Sequence, residues 1–542
     1  MIRPIAVATA LCLMFTSLVW GQELMVNPTS LSFSSTDETQ TDSLQLVLEN
    51  VGDESLQVKE LRFFDTYEQP AFSSKTDSLT LPAGGSQSIW VYFHPRHNIL
   101  HNSELMIVTD APSGDARVDL QGQGTFSNSY YSTTQNLSQE ALKSALKSRI
   151  SQGYNSLGYT NARNEMFMDF DNQRVNGQGA NVNTLECVYT GTLVTGYSSR
   201  TDAQNQGFNT EHTFPQGFFN QNEPMRSDLY HLYPTTVSSN SERGNLPFGT
   251  VTNPTWQVGG SKKGNGRFEP RDVHKGEVAR AMFYFVIRYQ DYSNHLAGQE
   301  GVLRLWHDAY PPTQVEQRRN DDISDLQNNR NPFIDYPQFL ERIFSVSGNS
   351  VAAEIKEISI SRSSTDLGDV PVGTSKAVRW VLVNEGNVDL SLSGLTLNSP
   401  ELGFRGISGQ DTTLAPGEGL EISVEFSPVS VGAFSGELTL TTDVPDMSTI
   451  SLEILANATT DLPKERGANW EIFPNPVKES LWLRSQTSQP LRAQLLDLHG
   501  RLIADFATQT PQTEVQWDVT SLSNGAYWLL IDGQEGKLIW VE

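Results

Sequence analysis

Strict alternation of apolar and polar residues, as in Glu421-Ile422-Ser423-Val424-Glu425-Phe426, fills both flanks of this sequence and is broken by turns of Gly, Pro, Asn and Asp. A period of two predicts half-buried strands, so both flanks read as β-sheet. The middle of the chain reads differently. There Leu142, Leu146 and Ile150 recur at i+4 spacing and give one helix an apolar face, with Asn136 and Gln139 set as a capping box at its start. A stronger helix is predicted from Lys275 to Tyr289, where Val278, Ala281, Met282, Phe285, Val286 and Tyr289 form a core-facing stripe. Arg280 falls on the other side of that helix, where it could point at a ligand.

The flanking strands repeat. Val47-Leu48-Glu49-Asn50-Val51-Gly52 is answered by Val381-Leu382-Val383-Asn384-Glu385-Gly386, and Leu81-Pro82-Ala83-Gly84 by Leu414-Ala415-Pro416-Gly417, with further pairs in the same order. Each copy is about 100 residues of short strands, the size and pattern of a β-sandwich. Both resemble the immunoglobulin-like modules with an N-x-G turn that are appended to bacterial surface proteins. Neither shows a cluster of ligand-binding residues, so a spacer or docking role is the ordinary reading. The chain closes on a third β-rich unit carrying Phe473-Pro474-Asn475-Pro476, the turn Asp497–Arg501 and Leu522-Ser523-Asn524-Gly525-Ala526-Tyr527. In that order these elements resemble the C-terminal sorting domain of type IX secretion substrates. The resemblance implies an address read by the type IX secretion machinery, not chemistry.

At 542 residues the chain is too long for one compact core, and its 37% hydrophobic content supports several. The expected organisation is a signal peptide at 1–21, a sandwich at 22–125, a mixed helix-and-loop unit at 127–350, a second sandwich at 351–460 and the closing unit at 467–542. The leader is read from Arg3 followed by the apolar run Ile5–Trp20 and small Gly21. With Cys12 in that leader, Cys187 alone remains, so an exported chain of this kind folds without an intrachain disulfide. No other stretch approaches the ~18 apolar residues that span a membrane.

Formal net charge is −25, which argues against a chain that wraps nucleic acid along its whole length. The charge is uneven, however. Between Ser127 and Ser350 there are 20 Lys and Arg against 22 Asp and Glu, so nearly all the excess acid lies in the flanks. Within the middle, Lys262, Lys263, Arg267, Arg271, Lys275 and Arg280 face only Glu269, Asp272 and Glu277, a basic stretch along which a polyanion is expected to lie.

Familiar hydrolase signatures are missing: there is no HExxH, no GxSxG and no CxxC. Polar chemistry concentrates in Asn209-Thr210-Glu211-His212-Thr213-Phe214-Pro215, Asp228-Leu229-Tyr230-His231-Leu232-Tyr233-Pro234 and Ser239-Asn240-Ser241-Glu242-Arg243-Gly244-Asn245. Successive side chains on a strand point opposite ways, so Glu211 and His212 can flank one site only at a strand end or bulge. An imidazole to take a proton from water, beside carboxylate and amide oxygens that suit a hard cation, is what metal-assisted phosphodiester cleavage requires.

In order and spacing these segments resemble the bacterial endonuclease I family of His-Me finger (ββα-metal) nucleases. Lys275–Ala281 and Arg318-Arg319-Asn320 through Gln327–Ile334 resemble the family's later helix and closing segment. The resemblance implies a multidomain protein: an α+β His-Me finger nuclease core flanked by all-β immunoglobulin-like sandwiches and a small C-terminal all-β domain. It implies His212 as general base, Glu211 and Asn240 as ligands of Mg2+ or another hard divalent cation, and Arg243 and Arg280 as phosphate or scaffold contacts. His231, Trp306, His307 and Asp308 are read as structural, and Asn245 as fixing its loop. Tyr230, Phe214 and Ser239 depart from the family's usual histidine, tryptophan and valine. The expected function is a secreted or surface-held, magnesium-dependent endonuclease that cuts DNA, with RNA as an alternative substrate, at little sequence preference and leaving 5′-phosphate ends. The rival is a surface adhesion or scaffold protein whose nuclease fold is silent.

Overall fold

The computed structural model describes residues 21–64, 70–406, 411–460, 470–489, 492–497, 501–508, 510, 512–531 and 537–541. The leader expected at 1–21 lies outside them except for Gly21, as do residues 498–500 of the Asp497–Arg501 turn.

The two repeats are two-sheet sandwiches of the same topology. In the first, one sheet orders Leu24–Asn27, Asp42–Asn50, Ser86–Phe93 and Phe72–Ser74, and the other Ser30–Ser32, Ala116–Thr125, Leu100–Thr109, Leu56–Phe63 and Leu79–Leu81. The second copy repeats this order from Ile358–Ile360 onward, with Ser364–Pro371 as one bulged strand in place of the separate Ser30–Ser32 and Thr36–Asp37. The repeated N-x-G has a physical cause. Asn50 and Asn384 are fully buried, accept the N–H of Gly52 and Gly386 on Oδ1 (3.1 and 2.9 Å), and donate through Nδ2 to the carbonyls of Leu81 and Leu414 in the opposite sheet (3.1 and 2.9 Å). A Cβ at Gly52 would sit 1.9 Å from the Gly21 carbonyl oxygen, and one at Gly386 2.2 Å from that of Ile355, so only glycine lets the neighbouring backbone in.

The sandwiches also pack on each other. Arg362 of the second clasps the buried Asp115 of the first (Nε–Oδ2 2.8 Å) and donates to the carbonyls of Ala111 and Thr109, beside a small apolar cluster of Phe64, Met106, Val381 and Val383. The chain between them folds as a separate core. Its two ends meet, because Gln139 Oε1 accepts from Phe344 N–H (2.9 Å) and Glu140 from Ser350 N–H (2.6 Å). The first sandwich grips that base through Asn98 with Thr134 and Arg342, and through Arg96 and His97 with Glu341.

Within this middle unit are the helices α1 (Gln139–Ser151), α2 (Tyr159–Met168) and α3 (Arg200–Asn205), the strands β1 (Phe208–His212) and β2 (Leu232–Thr236), and then α4 (Val237–Arg243), α5 (Asp272–Arg288), α6 (Glu300–Ala309), α7 (Gln314–Gln327) and α8 (Pro332–Asp335). Leu142, Leu146 and Ile150 of α1 are buried as their spacing predicts. The capping box does not form. Ser138 is the N-cap, while Asn136 accepts from Leu100 N–H (2.7 Å) and Gln139 is taken up closing the base of the unit. The predicted stripe on α5 is correct but incomplete. Ala279, Arg280, Phe283 and Ile287 on its other side are buried as well, because α6, α7 and α8 cover the helix. Three antiparallel β-sheet strands and a four-stranded sheet form the closing unit around Leu481, Leu483, Leu495 and Leu529.

Two buried histidines tie this core to pH. Burial pushes His295, packed on Phe214 and Phe218, and His307, packed on Phe283, down to about 4. In the fold both stay neutral, whereas in the unfolded chain they take up protons near their ordinary 6.5. Their contribution is therefore complete above pH 6.5 and is lost as pH falls from there toward 4. The melting temperature of the middle unit should fall across that window, and His307→Gln, which keeps a donor for the Pro337 carbonyl (3.0 Å), should make the fall shallower. An unaltered pH dependence in the variant would contradict this.

Candidate active site

β1 and β2 run antiparallel, with Glu211 opposite Tyr233 and His212 opposite Leu232, and α4 follows β2 directly. Gly207, at φ +91°, turns the chain into β1. Thr236 starts α4 by accepting the N–H of Ser239 (3.2 Å), and Gly244 ends it at φ +56°. The departure at Ser239 is used: its hydroxyl is buried against Thr235 (2.9 Å), Thr236 (2.7 Å) and the Cys187 thiol (3.4 Å), which pins the first turn of α4 to the strand pair. Tyr230 likewise buries its hydroxyl on the Asn329 carbonyl (2.7 Å), and Phe214 stacks on Phe285 at 4.1 Å.

Glu211 and His212 occupy the end of β1, and their side chains meet different neighbours, as strand alternation requires. Glu211 is 1% exposed. Its Oε1 accepts from the Tyr189 hydroxyl (2.8 Å) and faces Arg243 Nη1 (3.1 Å), while Oε2 takes no hydrogen bond. Burial raises its carboxyl above the usual range, with Arg243 and Tyr189 pulling the other way. Asn240 donates through Nδ2 to the Thr210 carbonyl (3.0 Å), which turns its Oδ1 away from the strand.

His212 is held by the Arg226 carbonyl at 3.2 Å from Nε2. A carbonyl only accepts, so Nε2 carries the proton and Nδ1 keeps its lone pair. Burial, with His231 and Arg226 adding to it, holds the imidazole well below its ordinary pKa, in the neutral form. The His231 ring lies 5.5 Å away and is itself fixed on the Met225 carbonyl (2.7 Å), the structural part expected of it.

Of the two parts expected of the arginines, phosphate or scaffold contact, their surroundings favour the second. Arg243 is 1% exposed and spends its guanidinium on Glu211 and the carbonyls of His212, Thr213 and Gly244, bracing α4 on β1. Arg280 is also 1% exposed, and donates to both carboxylate oxygens of Glu316 (2.7 and 2.6 Å) and to the Tyr310 carbonyl (2.9 Å). Arg280 has every edge engaged inside the fold, and Arg243 keeps only a buried Nε without a partner, so neither presents an exposed donor to a phosphate. The basic stretch is satisfied too: Lys263 pairs with Glu242, Arg271 with Glu186, Lys262 and Lys275 with Glu269, and Arg267 donates to the Phe248 carbonyl.

Tyr189, which holds Glu211, and Tyr159, whose ring lies 5.5 Å from that of His212, were not legible in the motifs, because nothing in their local sequence signals a partner 22 or 53 residues away. The Arg226 carbonyl was invisible for a simpler reason: any residue has one.

The donors suit a hard cation. Among the described residues Glu211 Oε2 and Asn240 Oδ1 have no protein partner, one on a strand and the other on the helix packed against it. Among the described residues no three His, Cys, Asp or Glu side chains converge, so a cation at this place would meet one carboxylate and one amide. Such a sparse set matches an ion that retains several waters, as Mg2+ does.

Comparison with known proteins identifies the units of the chain by family. The Endonuclease I family model matches residues 138–338, an Ig-like domain model of the HYDIN/CFA65/VesB type matches 22–123 and 356–457, and a secretion system C-terminal sorting domain model matches 471–540. An extracellular ribonuclease of Bacillus amyloliquefaciens is 32% identical over 40% of this chain and 78% of its own length. That of Bacillus subtilis is 29% identical over the same shares. An extracellular deoxyribonuclease of Aeromonas hydrophila is 32% identical over 22% of this chain and 52% of its own. The sorting domain and these extracellular relatives mark the protein as secreted or held at the cell surface, and with its nuclease unit set between two Ig-like domains the chain belongs to the Endonuclease I family.

Proposed function

We propose that this protein is a magnesium-dependent endonuclease of the His-Me finger type that hydrolyses DNA, and RNA as well, with little sequence preference. The observation that carries the reading is a neutral imidazole with its Nδ1 open at the end of β1, beside two unpartnered hard oxygens on β1 and α4. A relative named as a ribonuclease and others named as deoxyribonucleases support a chemistry directed at the phosphodiester rather than at one sugar.

In this reading His212 Nδ1 takes a proton from water, the water oxygen bonds to phosphorus, the bond from phosphorus to the 3′ oxygen breaks, and that oxygen takes a proton from solvent, leaving a 5′-phosphate and a 3′-hydroxyl. The Arg226 carbonyl steadies the imidazolium through Nε2–H, and Arg243 holds β1 and α4 in fixed relation. A divalent cation bound by Glu211 and Asn240 would supply charge neutralisation at the phosphate and the departing oxygen. Supercoiled plasmid and a structured RNA, incubated with the purified protein in magnesium or in EDTA, test the reading. Cutting of both in magnesium only is expected, absent from His212→Ala. Failure to cut either would leave a silent scaffold at the cell surface.

A further inference from the structure

The lysines and arginines of the basic stretch are paired with acids or a backbone carbonyl, yet a different set has no acid among the described residues. Arg163 on α2 and Arg226 just before Asp228 both lie over Tyr159, and Arg200 at the start of α3 reaches α2 beside them through Asn164, the neighbour of Arg163. The guanidinium carbons of Arg163 and Arg226 lie 4.1 and 4.2 Å from the Tyr159 ring centre. Among the described residues none of the three arginines has a carboxylate at ion-pair distance. Arg200 donates only to the neutral side chains of Asn164 (2.8 Å) and Gln204 (2.7 Å), and the Nε atoms of Arg163 and Arg226 are buried without a partner.

We propose that Arg163, Arg200 and Arg226 form the docking site for the nucleic-acid backbone, holding phosphate beside the one that His212 attacks. The proposal rests on the nuclease reading and names where that substrate is gripped. Two contacts tie the cluster to the base: the Tyr159 ring lies 5.5 Å from the His212 ring, and Arg226 is the residue whose carbonyl fixes His212. An anion on the Arg226 guanidinium is thereby set next to the base by a single residue. Gathering like charges without a carboxylate is unfavourable in the free protein: burial, with Arg200 and Arg226 acting the same way, depresses the Arg163 guanidinium below its ordinary range. A polyanion relieves that repulsion, whereas at Lys263, Arg271 or Lys275 it would first have to displace a carboxylate. Contacts of this kind read no bases, in keeping with cleavage of little sequence preference.

The test is binding of a fluorescent DNA duplex to the full mature chain in EDTA, by anisotropy across a salt series. Arg163→Gln with Arg226→Gln should weaken binding roughly tenfold per arginine at low salt, and should lower the slope of log K against log salt by about 0.9 for each contact removed. The backbone carbonyl that orients His212 survives both changes. Arg163→Lys with Arg226→Lys should keep most of the slope, which loss of packing alone would not allow. Lys262→Gln with Lys263→Gln should leave both slope and affinity near those of the parent. If the glutamine pair melts early, single Arg200→Gln carries the test, with an expected drop of about one contact in slope. Unchanged slope and affinity in the glutamine variants, or a loss confined to the Lys262 and Lys263 pair, overturns the proposal. A parent protein that cuts DNA in magnesium while those variants bind normally defeats this inference alone; a parent that neither binds nor cuts DNA defeats the nuclease reading with it.

Discussion

Replacing His212 by alanine is expected to slow phosphodiester cleavage by about 10²–10⁴-fold, the usual worth of a general base. The loss should fall on kcat, since no substrate contact is assigned to the ring, and added magnesium should not restore it. Asn240→Ala should behave differently. It removes one oxygen from the proposed cation site and leaves His212 on the Arg226 carbonyl, so part of the lost activity should return as magnesium is raised. Glu211→Gln should share that magnesium dependence while also loosening the fold, because Arg243 would then sit buried without its carboxylate. Steady-state rates over a magnesium series separate the three. An identical response in all of them would contradict the division of roles.

The largest effect on stability is expected at Asp228, which motif reading leaves without a role. Its carboxylate is fully buried; Oδ2 accepts from the hydroxyls of Tyr284 (2.9 Å) and Tyr289 (2.9 Å) and pairs with Arg288, while Oδ1 accepts from Gln327 (3.2 Å) and Tyr230 N–H (3.2 Å). These partners join α5, the start of β2 and the end of α7. Asp228→Ala would leave Arg288 buried and unpaired, a change worth about 3–5 kcal/mol. Asp228→Asn, which keeps acceptor oxygen for the tyrosines, should cost less. Urea unfolding followed through loss of nuclease activity measures both, and a midpoint for Asp228→Asn equal to that of the parent would show that the charge of Asp228 is unimportant.

Features that depend on local pattern were legible in the sequence. The sandwich repeat announces itself through Asn50 and Asn384, because a buried turn amide and its glycine cannot be exchanged without breaking the link between sheets. The order of Glu211, His212 and Asn240 likewise follows from a strand end and the helix packed on it. What sequence did not disclose are long-range pairings that change what a charge can do. Arg280 looks free on a helical wheel, yet its partner Glu316 lies 36 residues further on, on a helix that covers the face counted as exposed. The basic stretch around Lys262 fails for the same reason, since Glu242 and Glu186 that neutralise it come from outside the window in which charge was counted. Conversely Arg163, Arg200 and Arg226 stand far apart along the chain and form a cluster only when α2, α3 and the approach to β2 are folded together.

The contact between the two sandwiches acts on a part of the protein it does not touch. Asp115 and Arg362 are 247 residues apart, and the whole nuclease unit lies in the loop that their pairing closes. While that clasp holds, an unfolding nuclease has both ends tethered and gains less chain entropy than a free segment would. For a permanent cross-link around a loop of that length the chain-entropy relation gives about 5 kcal/mol. A chain whose one described cysteine is buried in its thiol form thus has a noncovalent counterpart of a disulfide, one that no reductant outside the cell can open.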